Sequence, residues 1–191
     1  NRLSAIRRPR SATLSSYGSQ RPLFVSGGST LAVPAATSYT NTTTSNNLTR
    51  TFQATGAGSV LDLQHLATIS NGQSFDAHLA IAALAGGQVN LAGVTSIVDP
   101  NAGDNRYRTV DVTADGTGSN VNFSALTTFT DVYAGSSTGE NRYSTLTPKN
   151  GGTIQSPALT TLTGVNVVLD GTGTMPTSQL VSLSGNSALT L

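Results

Sequence analysis

Gly86-Gly87-Gln88-Val89-Asn90-Leu91-Ala92-Gly93-Val94-Thr95-Ser96-Ile97 decides the fold, because the chain repeats it. The same frame returns at 58–69, 118–129 and 151–162: Gly, two residues, apolar-x-apolar, two residues, apolar, two residues, apolar. Its apolar sets are Leu61, Leu63, Leu66, Ile69; Val89, Leu91, Val94, Ile97; Val121, Phe123, Leu126, Phe129; and Ile154, Ser156, Leu159, Leu162, with a polar second position in the last. A looser copy opens at Gly28 with Leu31, Val33, Ala36 and Tyr39, and a worn copy offers Met175, Thr177, Leu180 and Leu183. The marker glycines 28, 58, 86, 118 and 151 step by 30, 28, 32 and 33 residues. A self-similar period of that length is the mark of a solenoid.

The spacing carries the geometry. Apolar-x-apolar is the two-residue period of a strand, and the later steps of three break strict alternation, so the chain must bend while still aiming apolar side chains inward. A second strand recurs in each period: Thr51–Ala54, Leu79–Ile81, Thr109–Val112, Val167–Leu169, and a short Ser144–Leu146 before Pro148. Gly-rich corners follow it, as at Asp115-Gly116-Thr117-Gly118 and Asp170-Gly171-Thr172-Gly173. Glycine supplies positive φ there, and Asp bonds its own backbone. These features predict an all-β fold, a parallel β-solenoid (β-helix) of about five to six coils over residues 28–191, behind an irregular basic N-terminal arm over 1–27. A leucine-rich repeat would need a return arm of steady length, and a β-sandwich would show hairpin turns in place of an in-register repeat.

Composition agrees. The 191 residues are 10% charged and 5% aromatic, well under the usual charged fraction of about a quarter. There is no cysteine, so no disulfide or thiolate metal site is possible; the lack is compatible with export. Residues 1–21 hold Arg2, Arg7, Arg8, Arg10 and Arg21 with no acid, and the remainder carries five basic against nine acidic residues. A short basic run without interleaved aromatics does not point to nucleic acid. No window reads as a membrane span or a signal peptide. The chain reads as a mature product or a piece of something longer.

The repeated Gly-Gly-x-Val-Asn-Leu-x-x-Val-Thr-Ser-Ile phrase resembles the β-strand-repeat segments of large secreted bacterial surface proteins, and is similar to haemagglutinin-type and autotransporter-passenger β-helices. The resemblance covers about residues 28–191. It implies an extracellular or cell-surface location and brings no standard catalytic residues with it.

Candidate chemistry is thin. His65 and His78 are the two histidines; His65 reads as an outward residue and His78 as a solvated strand end. With Asp62 or Asp76 as further ligands they match no metal-binding spacing. The Asp-Gly-Thr-Gly turns supply too few carboxylates for calcium. No Gly-x-Ser-x-Gly is present. No cofactor or metal is expected. The phrases Asp104-Asn105-Arg106-Tyr107 and Glu140-Asn141-Arg142-Tyr143 repeat in successive coils. They predict a ladder in which each Arg lies near an acid and each Tyr packs on the next, and they make Asp104, Arg106, Tyr107, Glu140, Arg142 and Tyr143 the candidate ligand or partner contacts. With Arg108, Asp111 and Lys149 they could also form the charged cluster of a polysaccharide-cleaving β-helix. The pairs Thr37-Ser38, Thr95-Ser96, Thr127-Thr128 and Thr160-Thr161 form a second ladder. Ice-binding solenoids use Thr-x-Thr on a flat strand, whereas these pairs are expected at a bend.

The expected function is non-enzymatic: a structural segment of a secreted surface fibre, stalk or adhesin. Leu189 and Leu191 mark a strand stopped in mid-coil and form the expected assembly edge, through which the solenoid would pair with a longer parent chain or with another copy, head to tail. The alternatives are a carbohydrate-active β-helix enzyme, and a module binding surface glycans through loops 99–107 and 131–143.

Overall fold

The structure is a computed structural model; it describes residues 12–13, 22–132 and 142–191. It contains three parallel sheets and, among the described residues, no helix. With strands numbered in chain order, the first sheet stacks β1 (Ala12–Thr13), β4 (Ala36–Thr40), β7 (Thr68–Ser70), β10 (Ser96–Asp99), β13 (Thr128–Asp131), β16 (Thr161–Thr163) and β18 (Ser182–Ser184). The second stacks β2 (Leu23–Ser26), β5 (Thr49–Thr55), β8 (His78–Leu84), β11 (Thr109–Asp115), β14 (Ser144–Lys149), β17 (Val165–Val168) and β19 (Leu189–Thr190). The third and shortest stacks β3 (Thr30–Ala32), β6 (Val60–Asp62), β9 (Gln88–Asn90), β12 (Asn120–Asn122) and β15 (Thr153–Gln155). The chain is therefore the predicted parallel β-solenoid, with about four turns where about five to six coils were expected. Four full turns run from β3 to β15. A shorter fifth step brings Thr174 opposite Thr153, because only Gly164 separates β16 from β17.

Each turn runs second sheet, glycine corner, third sheet, corner, first sheet, loop. The repeat frame covers the third sheet, the following corner and the start of the first. Equivalent frame residues pair directly: Leu61 with Val89, Val89 with Val121, Val121 with Ile154, and Ile69 with Ile97, Ile97 with Phe129, Phe129 with Leu162. All the apolar frame residues of the four regular copies are buried. Each contributes about 1.5–3 kcal/mol of burial, and neighbouring rungs lie about 4.8 Å apart. Gly86 and Gly118 adopt φ of 88° and 81°, as tight corners require.

The end rungs are less covered. Leu31 and Val33 are half-buried, and at the other end Leu183 is 44% and Leu189 45% exposed. One strand differs from expectation. β14 does not stop before Pro148 but continues through it to Lys149, with Pro148 opposite Ala114. Its pairing with β17 ends at Leu146, so beyond that point no strand on that side needs the N–H that proline lacks.

Candidate functional site

In the four full turns the long connections lie at one edge, between the first and second sheets: residues 41–48, 71–77, 100–108 and 132–143. That edge is built in two layers.

The outer layer contains the predicted contacts. Arg106 donates to Asp104 through Nε at 2.9 Å and Nη2 at 2.6 Å. This bidentate bond from Arg106 holds the Asp104 carboxyl down at about 2. The Arg106 guanidinium also lies 4.9 Å from the centre of the Phe75 ring. Phe75 meets Tyr107 edge to face at 5.6 Å, and the Arg142 guanidinium sits 5.6 Å from the Tyr107 ring centre. Three successive loops are thus joined by alternating rings and cations. Of the expected ladder, the Arg106–Asp104 pair is present, and Tyr107 packs on Phe75 and under Arg142, not on Tyr143. Tyr143 is half-buried just before β14, and Glu140 lies outside the described residues. The sequence reading passed over Phe75, because its loop lacks the Asp-Asn-Arg-Tyr phrase.

The inner layer was also missed. Asn41, Asn71, Asp99 and Asp131 are all buried and stack in adjacent coils, with Asp99 directly opposite Asp131. Asn71 Nδ2 donates to Asp99 Oδ2 at 2.9 Å and to the Ala77 and Thr109 carbonyls. Asp131 Oδ2 accepts from the Ser144 amide at 3.1 Å and its hydroxyl at 2.9 Å. Arg108, with its side chain 1% exposed, brings Nη2 to 2.7 Å from Asp99 Oδ1. It also donates to the carbonyls of Gly72, Ala102 and Pro100 and to Asn105 Oδ1. The Arg108–Asp99 approach is a charge contact, not an aligned hydrogen bond, and Oδ1 has no donor of its own. The signal was in the frame. Each ladder residue follows the last apolar position by two: Tyr39-x-Asn41, Ile69-x-Asn71, Ile97-x-Asp99, Phe129-x-Asp131.

Two stacked carboxylates against one guanidinium leave the cluster one charge short of neutrality if both ionise. Burial accordingly pushes Asp99 from 3.8 to about 7; Arg108 pulls it down, Asp131 pushes it up and the Asn71 bond pulls it down. A carboxyl raised in the folded state keeps its proton where the unfolded chain has lost it, so stability falls as pH climbs from about 4 to about 7. The lowered carboxyls of Asp104, Asp115 and Asp170 act oppositely: they favour folding above their unfolded values and lose that contribution on acidification. The unfolding temperature should therefore rise from pH 8 to pH 5 and drop again toward pH 2. Asp99→Asn should flatten the limb between pH 5 and 8. A wild-type profile already flat over that limb would contradict this assignment.

The histidines do not form a centre with each other. His65 is exposed. His78, expected to be solvated, has a side chain only 14% exposed, because its strand-end position is covered by the long connections. Its Nε2 lies 2.8 Å from Asp76 Oδ1 and its Nδ1 2.7 Å from Thr109 Oγ1. Thr109 Oγ1 in turn donates to Asp111 Oδ2 at 2.5 Å, and Thr145 Oγ1 donates to Asp111 Oδ1 at 2.8 Å. The order acid, imidazole, hydroxyl is that of a nucleophile relay. Here the hydroxyl is buried and its proton is committed to Asp111.

No known protein family, curated protein or solved structure matches the chain. The functional reading therefore rests on this geometry alone. Among the described residues no group of three His, Cys, Asp or Glu is placed to hold a metal ion. Asp170, in the turn weighed for calcium, instead accepts from the amides of Asn150, Thr172 and Gly173. That is turn chemistry.

Proposed function

We propose that this solenoid is a non-enzymatic structural segment of a secreted surface fibre, stalk or adhesin, and that its C-terminal rung is continued by another coil. The observation that carries this reading is the register of the exposed leucines. Leu183 stands directly over buried Leu162, and Leu189 over buried Val167. Both occupy core positions with no rung above them. Val181 at 80% and Leu191 at 95% exposure extend the same apolar end. Open strand edges with an apolar interior are templates for further pairing. A second coil, whether from a longer parent chain or from another copy, would bury them with the same rung geometry. Head-to-tail contacts of this type do not close, and so build filaments.

The charged residues support a structural role. Asp104 is paired with Arg106, Asp99 with Arg108, and Asp115 with Lys149 at 3.3 Å, so these carboxylates are occupied within the chain.

The purified chain should therefore self-associate, with a sedimentation coefficient that rises with concentration. Leu183→Lys with Leu189→Lys should hold it monomeric while leaving its β-type circular dichroism unchanged. Association undiminished in the double variant would sink the role given to this rung.

A second reading, a glycan-binding module, is favoured by the Phe75, Arg106, Tyr107 and Arg142 stack, since rings and guanidinium groups are what sugar faces and hydroxyls meet. Loss of glycan-array signal on replacing Tyr107 and Arg142 by alanine would support it, and an array blank for the wild type would remove it.

A further inference from the structure

The outward face of the first sheet is a grid of hydroxyl groups. Two residues of each strand point away from the core. One column reads Ser38, Thr68, Ser96, Thr128, Thr161, Ser182, in direct register from coil to coil. The other reads Thr40, Ser70, Val98, Thr130, Thr163, Ser184. Eleven of these twelve positions are Ser or Thr, and none is charged or aromatic. Ser and Thr make up 52 of the 191 residues, so chance placement would put about three on twelve sites. The second sheet shows the contrast: its outward rows read Thr51, Ala80, Asp111, Thr145, Asn166; Phe24, Gln53, Ala82, Thr113, Thr147; and Ser26, Thr55, Leu84, Asp115, Lys149. The hydroxyl face is not a by-product of composition.

The structure also revises where these residues sit. In Thr95-Ser96, Thr127-Thr128 and Thr160-Thr161, only the first residue is at the bend. There its hydroxyl donates to the carbonyl of the preceding coil, as Thr95 does to Ala67 at 3.1 Å and Thr127 to Thr95 at 3.0 Å. The second residue opens the flat strand, and with the residue two further on it gives the hydroxyl-x-hydroxyl pattern.

We infer that this face binds an ordered water lattice, the surface of ice. The grid repeats at about 4.8 Å between coils and about 6.7 Å along each strand, a scale on which hydrogen-bonded waters bridge neighbouring hydroxyls. A hydroxyl carries one donor and two acceptors; within the grid Thr163 and Ser184 bond each other at 3.0 Å and Ser70 donates to the Asn71 carbonyl at 3.4 Å, which leaves acceptor sites at each. The six β-branched threonines hold restricted rotamers in a strand, so hydroxyls and methyls recur at fixed places. Water bound in that pattern is already ordered when it meets the lattice, which lowers the entropic cost of joining it. A neutral face without rings suits a neutral hydroxyl lattice. It suits a soluble glycan less well, since glycan platforms use aromatic stacking. This inference is independent of the filament proposal, because the face lies along the side of the stack and not at its end.

The test compares the purified chain with two variants in cooled solution: Thr128→Tyr with Thr161→Tyr on the grid, and Thr113→Tyr with Thr147→Tyr on the second sheet. Circular dichroism checks that each is folded. The wild type and the second-sheet variant should facet growing ice crystals, open a gap between melting and freezing points, and suppress recrystallisation. The grid variant should lose all three. An inert wild type overturns the proposal, as does equal loss in both variants, or retention of the chain on crystalline cellulose with no effect on ice.

Discussion

At pH 8, where Asp99 is ionised in the folded wild type, Arg108→Leu is expected to destabilise the solenoid by about 3–5 kcal/mol, the range for removing one partner of a buried ion pair. The arginine is the only cation in contact with Asp99 among the described residues, and it also closes the 100–108 loop through the Pro100 and Ala102 carbonyls and ties it to the Gly72 carbonyl of the preceding loop. Its loss strands a buried carboxylate and three acceptors together. Two further results separate this account from simple loss of packing. Adding Asp99→Asn to Arg108→Leu should recover a large part of the stability at pH 8 and little at pH 6, because the unpaired charge goes only where Asp99 is ionised, while the carbonyl oxygen can still accept from Asn71. The single variant should also be more sensitive to alkaline pH than the wild type, since Asp99 would face Asp131 without its guanidinium. Chemical denaturation at pH 6 and pH 8 reads both. Equal stability of the single and double variants at pH 8 would contradict the charge argument.

Gly152→Ala should cost about 3 kcal/mol or prevent folding, by forcing atoms into a packed site whose neighbours are backbone. A Cβ built there would overlap the Ala114 carbonyl group of the preceding coil, and one at Gly87 would overlap the Ala54 carbonyl group. Main chain cannot move aside as a flexible side chain can. The corner lengths explain why these positions differ from their equivalents. The corners after β8 and β14 have three residues, 85–87 and 150–152, whereas those after β5 and β11 have four, 56–59 and 116–119. The longer corners leave room for Ser59 and Ser119, and the hydroxyls of those serines accept from the amides of Gly28 and Gly86. Gly171 is the control: its φ is 79° but nothing lies within 4 Å of a Cβ, so Gly171→Ala should show only the strain of a left-handed residue, about 1–2 kcal/mol. Urea midpoints for the two variants make the comparison, and similar losses would count against the steric explanation.

The fold was legible because a solenoid writes its periodicity into its sequence. Leu61, Val89, Val121 and Ile154 could be stacked on paper before any coordinate was known, since identical spacing from a corner glycine demands identical placement in the coil. The loop edge was legible for the same reason, as the place where the period varies most. The buried polar ladder was not found, although Asn41, Asn71, Asp99 and Asp131 hold a constant offset. An apolar template treats polar residues as surface, and only the structure shows that the position after the first sheet still faces inward. The hydroxyl grid was misjudged by one residue. Spacing placed Thr95-Ser96 and its equivalents at a bend, and the boundary between bend and strand falls inside the pair. The contact between Arg142 and Tyr107 joins two connections of different length, which no repeat specifies.

Electron microscopy of the purified chain tests the central claim, that the exposed leucine rung accepts a further coil. Unbranched rods or filaments one solenoid wide and longer than a single chain, shortened to single units by Leu183→Lys with Leu189→Lys, are the predicted result. Isolated particles of single-chain length at every concentration would contradict it.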